Sequence, residues 1–456
     1  MKMQREEQAA WSQHPPTNGR VAAPSKWLAR SAVPFALAAG LCASVALAWG
    51  DDDDHKGGAV KLLATIPIPA NPGDPCPSKA PGNPLFGLFT GMCVFDISWI
   101  DQSTQRYYLA DRSNAAVDVV DTKNNTFVKQ LKGGFAGAKL NAAGTAVNND
   151  ISGPNGVVTF GKWLFVTDAP SRVVSIDLTT DSIASTVKTS PTSPNRADEL
   201  AYDPQDSLIL AINNADDPPF GSLIKVNTAN GQLTLVNTIV FNAANGVDAT
   251  NGAEQPVWDP GTGKFYLSIP QVGPNAEDGG VARINPHTGA IETVFPVKFC
   301  QPAGLTLGPN QDLLIGCSVA FDSAGKPCST NAADLTTCSP GAFARPRQVI
   351  IDAKNGSIDR NVFGVGGSDE VWFNGGDGRY YTASRSNPQG PVMGVIDAKR
   401  QKLLQVVPTV SMQYGNAHSI AVNRHNNRAY VPLSANNVVR NCLTGCIAVY
   451  GIPGGD

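Results

Sequence analysis

Few long stretches of this 456-residue sequence lack glycine and proline, of which it carries 45 and 34, and residues 92–132 are the longest that do. That scarcity argues against a helical bundle, whose helices need such stretches, and favours many short strands joined by turns. Charge is also sparse, with 16% of residues charged and 7% aromatic. No basic stripe is present, which argues against a nucleic-acid partner. Several chemical signatures are absent too. There is no Cys-x-x-Cys-His for covalent haem. There is no phosphate-cradling glycine loop ending in Lys-Ser/Thr and no Gly-x-Ser-x-Gly elbow. The glycine-containing "GFAGAKLNAAG" lacks that ending and reads as a linker.

What is present begins with an export signal. Lys26 and Arg30 precede the apolar run "AVPFALAAGLCASVALA", and Ala46-Leu47-Ala48 offers small residues for cleavage. The run is short and alanine-rich, so residues 1–48 read as a signal peptide that leaves no stable membrane span after cleavage. Cleavage removes five basic and two acidic residues, leaving 30 against 36 and a net charge of −6. Residues 49–58, with "DDDD", read as an acidic spacer, and residues 59–456 as the folded domain. The expected location is periplasmic or secreted. Eight cysteines remain, an even number that suits disulfides in an exported chain: Cys76, Cys93, Cys300, Cys317, Cys328, Cys338, Cys442 and Cys446. Local pairing is expected, with Cys76 joined to Cys93. Cys442 and Cys446 lack the second close pair that a zinc site would want, so a stapled turn is the reading there.

The domain repeats itself. An apolar triplet, an Asp or Asn and a turn recur at Asp121, Asp177, Asn227, Asn285, Asp352 and Asp397, with intervals of roughly 45 to 67 residues. Ahead of them stand seven second strands: "RYYLAD", "KWLFVTD", "SLILAIN", "KFYLSIP", "DLLIGCS", "RYYTAS" and "RAYVPLS". Innermost strands such as "NGVVTF" and "SIAVNR" precede those. The pattern predicts an all-β, seven-bladed β-propeller. The last blade lacks one strand, which "AVKLLATIPIP" from Ala59 is expected to supply, closing the ring by an N-terminal strand.

In such a ring the residue leading each innermost strand faces one mouth of the central channel. Aligned on "PVWDP", these are Phe95, Asn155, Asp198, Glu254, Ala303, Asp369 and His418. Asp96, Glu199 and Glu370 lie one residue further on. Converging carboxylates repel, and a divalent cation held by Asn155, Asp198, Glu254 and Asp369 would relieve that. Oxygen donors favour calcium. Without a cation, at least one carboxyl should hold a proton at an elevated pKa. The alternative is a hydrated polar channel. His418 is the candidate for proton transfer. His287 and His425 sit in turns away from the mouth, which disfavours a three-histidine zinc centre. Loops following the second strands offer Arg112, Arg385 and Asn213 to a substrate, the arginines by gripping a carboxylate.

"EQPVWDPGTGKFYLSIP" and "PNGVVTFGKWLFVTD" resemble motifs of the senescence-marker-protein/gluconolactonase family. The repeat is also similar to the NHL and YVTN propellers, many of which only bind partners. The first resemblance implies a propeller, of six blades in that family, that binds a divalent cation and opens lactones or esters. Glu254 and Asn155 would then be cation ligands, with Asp198 or Asp369 completing the set. The expected function is thus a divalent-cation and small-molecule site over the channel, acting as a metal-dependent lactone or ester hydrolase if catalytic. The alternatives are a non-catalytic binding propeller, with a protein partner on its loops, and a lyase using His418.

Overall fold

A computed structural model describes residues 58–70, 90–328, 345–410 and 417–455. Residues 1–48, expected to be a signal peptide, nearly all of the expected acidic spacer, Cys76 and Cys338 lie outside the described residues. Ala59–Asp456 forms one compact unit.

The unit is a seven-bladed β-propeller. Seven antiparallel sheets of four strands follow one another along the chain. Their innermost strands are Ser98–Asp101, Val157–Phe160, Leu200–Asp203, Pro256–Asp259, Cys300–Leu307, Glu370–Asn374 and Ala421–Asn423, opening blades one to seven. Blade seven takes its outer strand from the other end of the domain. Lys61–Pro67 pairs antiparallel with Cys446–Gly451. Ring closure by the N-terminal strand is therefore as the sequence implies.

The recurring Asp/Asn has a local cause. Each caps the turn after the third strand by accepting backbone N–H groups two or three residues on. Asp121 accepts from Lys123 at 2.8 Å, Asn227 from Ala229 at 3.0 Å, Asn285 from His287 at 3.0 Å and Asp352 from Lys354 at 2.6 Å. The Asp of "PVWDP" has the same role after an innermost strand, where Asp259 accepts from Gly261 at 2.8 Å.

Alternate residues of each strand face the two neighbouring blades, so the core divides by interface. Tyr108, Val117 and Val119 of blade one meet Leu164, Val166 and Val174 of blade two. The corresponding seam between blades seven and one uses Tyr107, Leu109, Tyr430 and Val449, with Ile66 and Ile68 from the closing segment. Seven such seams hold the innermost strands at fixed places around the axis.

Disulfides join Cys300 to Cys317 and Cys442 to Cys446, the second stapling the turn before the third strand of blade seven. Cys93 and Cys328 are also disulfide-bonded. Among the described residues, no helix is long and apolar enough to cross a membrane.

Candidate functional site at the channel mouth

The register of the inner strands explains how the site assembles. Ser98 pairs with Leu109, so the start of the innermost strand lies beside the end of the second. Residues leading the first and residues following the second therefore share one face of the ring. This brings Asp96 of blade one beside Arg112 of the same blade, and Asp369 of blade six beside Arg385.

Arg112 is enclosed and fully engaged. Its guanidinium pairs with Asp96, and its Nε donates to Asn155 Oδ1 at 2.9 Å. It also donates to Asn149 Oδ1 at 3.1 Å and stands 4.0 Å from Asp198. Arg196, two residues ahead of Asp198, pairs with that carboxylate at 2.6 Å. Its backbone N–H donates to Asp150 O at 2.7 Å, and its side chain donates to Asn149 O at 3.2 Å. The linker between blades one and two thus bends a short turn, Asn149–Ile151, onto both guanidinium groups.

The other side of the mouth is built by blades six and seven. Arg385 stands 3.3 Å from Asp369 Oδ1, and His418 Nδ1 lies 3.4 Å from Asp369 Oδ2. His418 stacks on Phe95 with ring centroids 5.1 Å apart, and its Nε2 is 3.0 Å from Phe95 O. A carbonyl can only accept, so Nε2 carries the hydrogen. Nδ1 is left facing Asp369, with Asp96 4.0 Å away.

Glu254, from blade four, is partly exposed, and its carboxyl has no hydrogen-bond donor among the described residues. Burial pushes it up to about 8, with Asp198 and Asp369 adding to the rise against the opposing pull of Arg196 and Arg385. Burial likewise raises Asp198 to about 7, with Asp96 assisting and the guanidinium groups of Arg196 and Arg112 opposing. Burial would raise Asp369 too, but Arg385 and His418 outweigh it and hold that carboxyl down at about 2. One residue deeper, burial and the neighbouring carboxylates place Glu199 and Glu370 well above the usual carboxylate range, Glu370 acting on Glu199, and Asp369 and Asp96 on Glu370.

Blades two and five contribute no acid at that deeper level, because glycine is required there. A Cβ at Gly156 would stand 2.6 Å from Asp198 O, and one at Gly304 would stand 2.5 Å from Asp369 O. These close approaches let the neighbouring blade bring its acid inward.

The structure thus gathers Asn155, Asp198, Glu254, Asp369 and His418 with Arg112 and Arg385. Phe95 is buried beneath His418, and Ala303 falls inside the longer strand Cys300–Leu307. Asn213 does not join the group. Its amide donates to Ser171 Oγ at 3.0 Å, Arg196 O at 3.1 Å and Asp216 at 3.3 Å, so it shapes the backbone that carries Arg196. Arg196 and Asn149 are the members that sequence patterning leaves out.

The donor set offered to a cation is heavily committed. Arg112 occupies Asn155 Oδ1, Arg196 occupies Asp198, and Arg385 with His418 occupies Asp369. Among the described residues, no group of three or more His, Cys, Asp or Glu side chains is placed to hold a metal ion. Three guanidinium groups already balance much of the acidic charge, so these residues as arranged do not fit a divalent cation.

The fold defines the chain as a seven-bladed β-propeller. It is similar to a chain of the Kuenenia stuttgartiensis hydrazine synthase, with a TM-score of 0.59 and 11% identity, over 81% of this chain and 98% of that one. At that identity the likeness concerns the fold alone. No protein-family model and no curated protein sequence matches the chain. The six blades implied by the gluconolactonase resemblance are not found, and the Glu254 motif opens the fourth of seven blades.

Proposed function

We propose that this is an exported propeller that binds a small organic anion, a carboxylate or a lactone-derived acid, at the channel mouth. The observation that carries the reading is the contrast among the three arginines. The side chain of Arg385 is 38% exposed, against 3% for Arg112 and 13% for Arg196. Arg112 and Arg196 hold the mouth together, and Arg385 keeps a guanidinium edge for a ligand. Glu254 stands in the same field, and burial raises its carboxyl to about 8, which favours the protonated form that would donate to a ligand oxygen. His418 Nδ1, 3.4 Å from Asp369 Oδ2, stands on the same face of the ring.

Hydrolysis of an ester or lactone is the catalytic form of this reading, favoured by His418 and Asp369 at 3.4 Å. There His418 would move the proton while Arg385 met the developing carboxylate. Positive charge comes from guanidinium groups in place of calcium. Calorimetric titration with small mono- and dicarboxylates tests the binding. Arg385→Gln should weaken binding by about 10- to 100-fold, the loss of one charge-assisted contact. Unchanged affinity in that variant would refute the assignment, as would stabilisation by calcium alone.

Export is supported by the leader sequence and by the disulfides. The intact mass of the exported protein should correspond to a chain beginning at Trp49. A mass retaining residues 1–48 would instead indicate an uncleaved anchor.

A further inference from the structure

Below the mouth, side chains touch across the channel. Gln255 leads blade four, and its Nε2 donates to Glu370 Oε2 of blade six at 2.9 Å. Its Oε1 accepts the Leu305 N–H of blade five at 2.6 Å. Glu199 of blade three is within hydrogen-bonding reach of the same Glu370. Blades three and six, and four and six, are not neighbours in the ring, so these contacts span its axis.

Glu199 and Glu370 are 6% and 1% exposed. Glu199 Oε2 and Glu370 Oε1 are enclosed with no donor to satisfy them. The strongest charges acting on the pair from other residues are acidic: Asp96, Asp198, Glu254 and Asp369. The nearby cations are engaged one level up, Arg112 on Asp96, Arg196 on Asp198, and Arg385 with His418 on Asp369. Among the described residues, no guanidinium or ammonium pairs with Glu199 or Glu370. Two ionised carboxylates in contact offer only acceptors, and a buried acceptor pair without a donor is costly. One proton supplies the missing donor.

We propose that Glu199 and Glu370 hold a single proton between them, and that this proton-dependent link closes the channel just below the mouth and loosens in base. The closing role rests on the mouth being the ligand site; the shared proton does not.

Infrared spectroscopy of the full domain tests the proton directly. Wild-type-minus-variant difference spectra near neutral pH should show one carboxylic-acid carbonyl component that both Glu199→Gln and Glu370→Gln remove, distinct from any component that Glu254→Gln removes. A wild-type spectrum lacking that component overturns the proposal. Hydrogen exchange at the Leu305 amide reads the link. Its protection should fall about tenfold more than that of neighbouring strand amides as the pH is raised through the loss of the proton. Glu199→Gln, whose amide can donate to Glu370 at any pH, should keep protection in base. Protection that follows its neighbours in the wild type overturns the closing role. Loss of carboxylate binding with the infrared band intact would instead count against the mouth as ligand site.

Discussion

Arg112→Met should lower the unfolding free energy by about 3–5 kcal/mol, the range found when one partner of a buried ion pair is removed. Arg112 is 2% exposed and pairs with Asp96, itself 7% exposed. Its Nε–H also satisfies Asn155 Oδ1, and its remaining nitrogens reach Asn149 and the field of Asp198. Methionine fills much of the volume but leaves Asp96 charged and without its partner, and Asn155 loses a donor. Blades one, two and three would then lose their shared tie at the mouth. Urea midpoints check this, with Arg385→Met as the comparison. Arg385 is more exposed, and its 3.3 Å pair with Asp369 is worth at most about 1 kcal/mol. Equal midpoints for the two variants would show that Arg112 is not the tie described.

The arrangement of blades was legible because its determinants are local. Asp121, Asp177, Asn227 and their counterparts each cap the next few backbone N–H groups, so the repeat marks where third strands end. The ring of acids followed from strand register, which is also local. The guanidinium partners are a different matter. Asp198 needs Arg196 from its own approach segment and is approached by Arg112 from two blades away. No spacing rule foretells such a pairing. A faint trace existed, since Arg112-Ser113-Asn114 and Arg385-Ser386-Asn387 follow the second strands of blades one and six in the same words. The acids alone suggested a cation to offset them. The arginines offset them instead, and that balance appears only when distant loops are folded onto one mouth.

Stability of the propeller should be greatest in mild acid and fall as the pH rises. Glu254 at about 8 and Asp198 at about 7 lie above their ordinary values of 4.5 and 3.8. Glu199 and Glu370 are raised as well, as are Asp111 and Asp118, a buried carboxyl pair in blade one. For each, the folded chain binds the proton more tightly than the unfolded one. The stabilisation is full below the unfolded pKa, is lost as the pH climbs towards the folded pKa, and is gone above it. Asp369 at about 2 works in the opposite sense, and its contribution disappears only as the pH drops below about 4. Asp121, Asp177, Asp278 and Glu292 are lowered as well, but they lie nearer the surface than the raised acids, so urea midpoints should peak near about pH 5 and decline to about pH 9. Glu254→Gln isolates one of them. It should match the wild type near the peak and exceed it at about pH 9 by about 2 kcal/mol, a value well below the full linkage figure because the side chain is partly exposed. A midpoint that rises towards base, or a variant that runs parallel to the wild type at every pH, would mean that Glu254 is already ionised at neutrality and cannot donate to a ligand at the mouth.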